Sequence, residues 1–170
     1  MARAPRWEPA YCAYFEARQR SFMRTAYAML GSWAAAEDAT QQTFTALYTR
    51  WPRISRGKTD AYARRVLVNT CIAVYKARGR EVLRDEMPEP GAWDEDHDQR
   101  LALLGALAAL GPRDRGVLAL RYLEDLSVAD VAQVLDLPEG TVKSQTSRAL
   151  TRLHTAMTEP ATGPTKGHSR

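Results

Sequence analysis

Glycine and proline divide this 170-residue chain into blocks that are rich in alanine, leucine, arginine and glutamine. The main breaks fall at Gly31, Pro52, Gly57, Gly79, Gly111, Pro112 and Pro138. The residues between these breaks are mostly helix formers, and no block shows the period-two alternation with β-branched residues that a half-buried strand requires. The sequence therefore predicts an all-α protein with no sheet.

One segment differs in composition from the rest of the chain. Residues 81–98 contain eight acids, one base, two prolines and one glycine, a composition typical of a flexible linker. The formal net charge of +4 is accordingly uneven, with +9 before this segment, −7 within it and +2 after it. Two basic bodies around an acidic linker favour a polyanionic partner. We expect two small helical domains at 10–80 and 99–157, the linker at 81–98 and a disordered tail at 158–170.

Several functional classes find no support in the sequence. The apolar runs are far shorter than the roughly 18 residues that span a bilayer, and the N-terminus lacks the apolar core of a signal peptide. Cys12 and Cys71 are isolated from each other and from any residue at metal-ligand spacing. The three histidines have no nucleophile at a recognisable catalytic spacing. We therefore expect a cytoplasmic protein that is not an enzyme and has no membrane span, metal or cofactor.

The N-terminal half predicts three helices, at 9–30, 33–51 and 59–78. The second helix has an apolar stripe for packing and a polar face that remains open for binding. The stripe consists of Ala36, Thr40, Thr43, Phe44, Leu47, Tyr48 and Trp51, and the polar face includes Glu37, Asp38, Gln41, Gln42, Thr45 and Arg50. The third helix has a row formed by Tyr62, Val66, Asn69, Thr70 and Ala73, flanked by basic residues. We interpret the stripe of the second helix as core.

The C-terminal half predicts a helix-turn-helix. Ser127 and Asp130 have the spacing of a capping box, the apolar residues after them predict a short helix, and a turn follows at 137–140. Thr141 is expected to cap a final helix at 142–157. Its apolar residues fall on one side, and cations and small hydroxyls spread over the other, which suits a DNA major groove. An ordinary solvated helix face is the alternative.

Three motifs resemble those of bacterial extracytoplasmic-function sigma factors of the sigma-70 family. EGTVKS at 139–144, with SVADVA at 127–132 before it, resembles region 4 of that family. AEDATQQTF at 36–44 resembles the region-2 helix that binds core RNA polymerase, and YARRVLVNT at 62–70 resembles the stretch that reads the minus-ten promoter element. The resemblance covers roughly residues 10–157 and implies a region-2 bundle followed by a region-4 helix-turn-helix.

The resemblance implies a role for three sets of residues. Those expected to contact the clamp coiled coil of the largest polymerase subunit are Asp38, Gln41, Gln42 and Thr45. Those expected to bind the minus-ten element are Arg56, Lys58, Arg65, Asn69 and Lys76. Those expected to bind the minus-35 element are Lys143, Ser144, Gln145, Ser147, Arg148 and Arg152. The implied partners are core polymerase, through clamp and flap, and promoter DNA, with an anti-sigma protein as a further candidate.

Some of these assignments have alternatives. Asn69 suits either an unpaired base or a buried hydrogen bond between helices. Ala73, Tyr75, Gln145 and Leu150 depart from residues that are common in the family, and Gln145 could read adenine where relatives carry arginine. The chain as a whole could instead be a dimeric helix-turn-helix regulator acting without polymerase, or an adaptor that holds only protein partners.

Overall fold

The structure is a computed structural model that describes residues 4–54, 57–78, 103 and 105–158. These residues form helices and their connections and contain no strand, which confirms the predicted fold class. The N-terminal domain contains α1 (Glu8–Leu30), α2 (Trp33–Arg50), a 3-10 turn (Trp51–Arg53) and α3 (Thr59–Arg78). The C-terminal domain contains α4 (Pro112–Leu118), a π-helical turn (Ala119–Leu123), α5 (Val128–Leu135) and α6 (Glu139–Thr158). The predicted linker at 81–98 and residues 159–170 of the predicted tail lie outside the described residues.

The connection between α1 and α2 shows why the first break in the sequence is sharp. Gly31 adopts φ 69°, and its N–H donates to the carbonyl of Tyr27 at 2.7 Å, which ends α1 in a left-handed residue. The hydroxyl of Ser32 then accepts a hydrogen bond from the N–H of Ala35 at 3.3 Å and caps α2. A single left-handed glycine followed by a serine cap thus sets the two helices side by side.

The predicted stripe of α2 forms much of the N-terminal core. Phe44 and Leu47 are buried, and Phe44 packs between two aromatic rings of α1, 4.6 Å from Phe15 and 5.6 Å from Phe22. Tyr48, at the end of the stripe, is still 37% exposed although its ring lies 5.0 Å from that of Tyr11. The stripe is therefore core at its centre and half-open at its C-terminal end.

The row predicted on α3 does not face the core. The buried residues of this helix are Ala63, Arg64, Leu67, Val68 and Cys71. They lie on the side that meets α1 and the C-terminal domain, whereas Asn69 and Ala73 of the predicted row are exposed. The alternative in which Asn69 makes a buried helix-to-helix hydrogen bond is therefore wrong. The predicted row is displaced from the buried row because Arg64 is buried, and a pattern of apolar residues does not predict a buried arginine.

The helix-turn-helix forms where it was predicted, with one shift. The capping box is present: the Ser127 hydroxyl accepts from the N–H of Asp130 at 3.1 Å, and the Asp130 carboxylate accepts from the N–H of Ser127 at 3.3 Å. The final helix begins at Glu139, so the prediction that Thr141 caps it is wrong. The carbonyl of Pro138 accepts from the N–H groups of Thr141 and Val142 instead. Proline has the φ that a helix start needs, so the first turn closes without a hydroxyl cap.

The two domains pack against each other through α1 and α3 on one side and α4, the π-helical turn and α5 on the other. A single cluster of buried apolar residues crosses this boundary, including Phe22 and Leu67 from the first domain and Leu120 and Val131 from the second. The boundary needs Gly116, because a Cβ there would lie 3.2 Å from a methyl of Val68. The functional surfaces are therefore held in one arrangement by a shared core.

Candidate nucleic-acid and protein interfaces

The recognition helix α6 presents one face to the protein and the other to solvent. Val142 and Ala149 are buried against α4 and α5. The exposed residues on the other side include Lys143, Ser144, Ser147 and Arg148. One lysine and one arginine, with two small hydroxyl side chains between them, allow close approach to a phosphate backbone and contact with base edges. This face is a surface suited to a DNA groove.

The other two of the six residues predicted on this helix, Gln145 and Arg152, have different surroundings from these four. Arg152 donates to the carboxylate of Asp114 on α4 at 3.0 Å, although its side chain is 62% exposed. Gln145 is half-buried, and its carbonyl oxygen is buried without a hydrogen-bond partner. The ion pair anchors α6 on α4, so Arg152 lies at the rim of the face. Gln145 has to turn outward before its amide can read a base.

The N-terminal domain forms a basic pocket of about 580 Å³ at the C-terminal end of α2. Its lining residues are Arg50, Arg53, Ile54, Lys58, Ala61, Tyr62, Arg65 and, from the other domain, Gln133. Arg50 donates to the hydroxyl of Tyr62 at 3.2 Å, which fixes one cation over the pocket wall. Four cations around a cavity of this size suit the backbone and base of a single strand.

The structure brings only part of the predicted minus-ten set into this pocket. Lys58 and Arg65 line it, Arg56 lies outside the described residues, and the exposed Asn69 and Lys76 lie further along α3, outside the lining. The sequence reasoning missed Arg50, Arg53 and Tyr62 as pocket residues. The two arginines three residues apart around Pro52 were an available signal, since a turn there directs them to one side.

Arg65 has a second set of contacts that the sequence did not suggest. Its Nε donates to the carbonyl oxygen of Val134 at 2.9 Å, and its Nη2 donates to that of Gln133. Both carbonyls belong to the last turn of α5, where intrahelical donors are lacking. The guanidinium therefore caps a helix of the C-terminal domain while it lines the basic pocket of the N-terminal domain.

The polar face predicted on α2 is open. Its four candidate residues, Asp38, Gln41, Gln42 and Thr45, are all exposed. Asp38 accepts from Arg78 of α3 at 3.0 Å, and the hydroxyl of Thr45 donates to the carbonyl of Gln41 at 2.9 Å. Carboxylate, amide and hydroxyl groups on one accessible helix side are suited to a polar protein partner.

A groove of about 640 Å³ between α1 and α2 borders this face and was missed by the sequence reasoning. Its apolar lining comes from Phe15, Met23, Trp33 and Phe44, and its polar rim includes Gln41. The indole N–H of Trp33 and the buried hydroxyl of Thr40 have no hydrogen-bond partner. The groove places apolar side chains directly beside the polar face of α2.

Metal binding finds no support in the described parts of the chain. No group of three or more metal-ligating side chains occurs there. Burial raises the pKa of the Cys71 thiol to about 12, so this cysteine stays protonated near neutral pH. None of the described helices is long and apolar enough to cross a membrane.

Comparison with known proteins matches both domains to one family. The family model for sigma-70 region 2 matches residues 14–81, and the model for sigma-70 region 4 matches residues 100–153. The chain is 36% identical over 144 residues to the RNA polymerase sigma-E factor of Streptomyces coelicolor, covering 82% of this chain and 81% of that protein. It is 30% identical over 140 residues to the ECF RNA polymerase sigma factor SigE of Mycolicibacterium smegmatis, covering 76% of this chain and 54% of that protein.

Solved structures share the fold. The sigma factor RpoE, in complex with the anti-sigma factor NepR from Bartonella quintana, matches with a TM-score of 0.74 at 22% identity, covering 87% of this chain and 96% of that chain. CnrH, in complex with the cytosolic domain of CnrY, matches with a TM-score of 0.64 at 19% identity and covers 87% of each chain. The order of the two domains, the helix-turn-helix and the identity to curated relatives all point to the same family. The chain belongs to the extracytoplasmic-function group of the sigma-70 family and is a sigma factor that directs promoter-specific transcription initiation.

Proposed function

We propose that this sigma factor reads the minus-35 element with the exposed face of α6. The observation that carries this assignment is the set of exposed cations and hydroxyls on α6, directly after the turn of a capped helix-turn-helix. Lys143, Ser144, Ser147 and Arg148 form the contact face. Arg152 acts at the rim through its pair with Asp114, and Gln145 contributes after rotating outward.

The minus-ten element binds along α3 and the basic pocket. Lys58 and Arg65 line the pocket, and Asn69 and Lys76 continue the exposed basic side of α3. We add Arg50 and Arg53 to this set because they line the same cavity. An unpaired base needs a hydrogen-bonding group, which Asn69 provides, and nearby cations for its phosphates. Arg56 belongs to the same predicted set by its position in the sequence.

The protein partner of α2 is the clamp coiled coil of core RNA polymerase, contacted by Asp38, Gln41, Gln42 and Thr45. The open face supports this assignment, and the apolar lining of the adjoining groove supports a larger contact. The flap is the polymerase partner of the C-terminal domain. The two structural neighbours are complexes with an anti-sigma factor and with the cytosolic domain of CnrY, so an anti-sigma protein is a further candidate partner.

On this proposal the chain acts as a regulatory subunit in the cytoplasm, where it meets polymerase, and it is not an enzyme. The test is run-off transcription with core polymerase on a promoter library, comparing the unmodified chain with Arg148→Ala. We expect sigma-dependent start sites with the unmodified chain and a loss of about fivefold or more with Arg148→Ala, because one base or phosphate contact contributes about 1 to 3 kcal/mol.

Two controls make the result specific. Core polymerase binding, measured by co-purification, should be unchanged by Arg148→Ala, because α6 is separate from the face of α2. Arg113→Ala removes an equally exposed arginine outside α6 and should leave transcription unchanged. Equal transcription from the unmodified chain and Arg148→Ala, or an equal loss for Arg113→Ala, would overturn the assignment of the minus-35 contact to α6.

A further inference from the structure

The basic pocket of the N-terminal domain carries positive charge that its own lining does not balance. Its four cations are Arg50, Arg53, Lys58 and Arg65. The described lining contains no aspartate or glutamate, and none of the ion pairs between described residues includes one of these four side chains. Asp60, an acid on the neighbouring first turn of α3, accepts hydrogen bonds from Tyr14 and Arg18 on α1 instead. The pocket is therefore an attractive site for a multiply charged anion.

The hydrogen bonds that two of these cations make do not cancel their charge. Arg50 donates to the hydroxyl of Tyr62 at 3.2 Å, and Arg65 donates to the backbone carbonyls of Gln133 and Val134. All three acceptors are neutral oxygens, which orient a guanidinium without pairing it with a negative charge. These bonds fix the position of two cations and leave their attraction for an anion in place.

The remaining lining of the pocket suits a group other than phosphate. Ile54 and Ala61 are apolar, and Tyr62 adds an aromatic ring. Gln133 of α5 completes the lining from the C-terminal domain and is exposed. Aromatic and aliphatic side chains can contact the face of a nucleic-acid base, and a side-chain amide can bond to its edge. Cations for phosphate and a wall for a base therefore surround one cavity.

The volume of the cavity and the density of its charge indicate what fits. Its volume of about 580 Å³ is that of a small-molecule site. A DNA strand carries one negative charge per nucleotide, so a pocket that holds one nucleotide of a strand meets fewer phosphates than it has cations. A nucleoside di- or triphosphate brings about three to four negative charges on adjoining phosphates, together with a single base. Its charge matches the pocket more closely.

We propose that the basic pocket is a binding site for a free nucleoside polyphosphate, with the phosphates on its cations and the base against Tyr62 and Gln133. This inference goes beyond promoter recognition, because it concerns a small ligand of the chain outside the transcription complex. A bound nucleotide occupies the cations that single-stranded DNA would use. That competition, unlike the binding itself, rests on the proposed role of the pocket in minus-ten recognition.

The test measures binding to the full chain by isothermal titration calorimetry, without polymerase or DNA and at one ionic strength. The probes are ATP, GTP, AMP and inorganic tripolyphosphate. ATP should bind about tenfold or more tightly than AMP, because its two further phosphates reach additional cations. ATP should also bind about fivefold more tightly than tripolyphosphate, because the base contacts are added to the same number of phosphates. Excess Mg²⁺ should weaken ATP binding, since it neutralises phosphate charge and the described lining offers it no carboxylate.

Substitutions assign the binding to the pocket. Arg53→Ala should lower the affinity for ATP about tenfold, because a charged hydrogen bond to phosphate is lost. Gln133→Ala should lower the affinity for ATP about threefold and leave that for tripolyphosphate unchanged, because only a contact with the base is lost. Arg113→Ala is the matched control, an exposed arginine outside the pocket, and should change neither affinity. Circular dichroism checks that each variant keeps its helices.

Three results would overturn the proposal: no saturable binding of ATP or GTP below about 1 mM, tripolyphosphate or AMP binding as tightly as ATP, or an equal loss in Arg53→Ala and Arg113→Ala. Competition is scored separately by the fluorescence anisotropy of a short labelled oligo(dT) strand, which ATP should displace. A random duplex bound through α6 should stay bound. If ATP binding depends on Arg53 and oligo(dT) is not displaced, the nucleotide site stands and the minus-ten assignment of the pocket fails.

Discussion

The two candidate DNA surfaces differ in what the rest of the molecule does to them. The face of α6 consists of exposed side chains on a helix whose other side is buried, so it is complete within the C-terminal domain. The basic pocket at α3 is completed by Gln133 from the other domain, and one of its cations, Arg65, bonds to that domain. The face of α6 is therefore accessible without any change in the protein, whereas the basic pocket shares residues with the contact between the domains.

This difference follows from where charge is placed. The cations of α6 are directed to solvent, where each retains its hydration and its reach towards phosphate. On α3, by contrast, Arg64 is buried with Glu124, and its neighbour Arg65 caps α5. A helix that supplies cations to both an internal boundary and a DNA site links the two, so a change at the boundary alters the site.

The largest expected effect comes from removing Arg115. In Arg115→Ala the buried carbonyls of Met29, Leu110 and Ala108 lose their donor, and the side chain leaves a cavity. We expect the free energy of unfolding to fall by about 3 kcal/mol or more. Urea denaturation followed by circular dichroism measures this change.

The control for that substitution is Arg113→Ala, two residues away on the same helix and exposed. Its effect should stay within about 0.5 kcal/mol. If the domains form one cooperative unit, the unmodified chain unfolds in a single transition and Arg115→Ala separates it into two. An equal loss from both arginine variants would show that the contact at Arg115 does not hold the domains together.

A smaller effect distinguishes the two DNA surfaces with a matched pair of lysines. Lys143 lies on the exposed face of α6 and Lys58 lines the basic pocket. For the isolated chain on duplex DNA, Lys143→Ala should lower the affinity several-fold and reduce the slope of log K against log salt by about 1, because one phosphate contact is lost. Lys58→Ala should change neither quantity.

In the presence of core polymerase, the two lysine substitutions should have similar effects on transcription. Transcription from a promoter with both elements should then fall for Lys58→Ala as well as for Lys143→Ala, since the pocket is engaged in the open complex. Titration of duplex binding at several salt concentrations gives the first comparison, and abortive transcription gives the second. A salt slope that falls equally for both variants of the isolated chain would remove the distinction between the surfaces.

The sequence predicted the features that depend on local pattern. The α2 stripe, the Ser127 and Asp130 capping box and the exposed cations of α6 all follow from periodicity and capping rules that act within one helix. The resemblance to the sigma-70 family could also be recognised from the sequence, because each of its motifs is a contiguous stretch of residues. These features need no knowledge of what lies opposite them.

Several of the features that the sequence did not predict depend on the second domain. The buried side of α3 includes Arg64, and its buried charge partner, Glu124, lies sixty residues away in the sequence. The roles of Arg115 and Gly116 likewise depend on Met29 and Val68. Helical periodicity carries no information about such pairings, and the start of α6 was misplaced because Pro138 replaced a hydroxyl cap.

The smallest expected effect concerns the helix that presents its C-terminal carbonyls to Arg65. Ser127→Ala removes the cap of α5, which should lower the free energy of unfolding by about 1 kcal/mol at neutral pH. Hydrogen bonds from the hydroxyl and the backbone N–H of Ser127 lower the pKa of Asp130 from its ordinary value of 3.8. A lowered carboxyl pKa means that this stabilisation is present above that ordinary value and is lost as the pH falls through the lower, folded-state pKa.

The difference in stability between the unmodified chain and Ser127→Ala should therefore be constant near neutral pH and narrow below pH 3.8, the ordinary pKa of Asp130. Urea denaturation across this range measures it, with Ser147→Ala on the exposed face of α6 as a control that removes a hydroxyl without removing a cap. A difference that does not change with pH would show that the ionised carboxylate of Asp130 contributes nothing to the cap of α5.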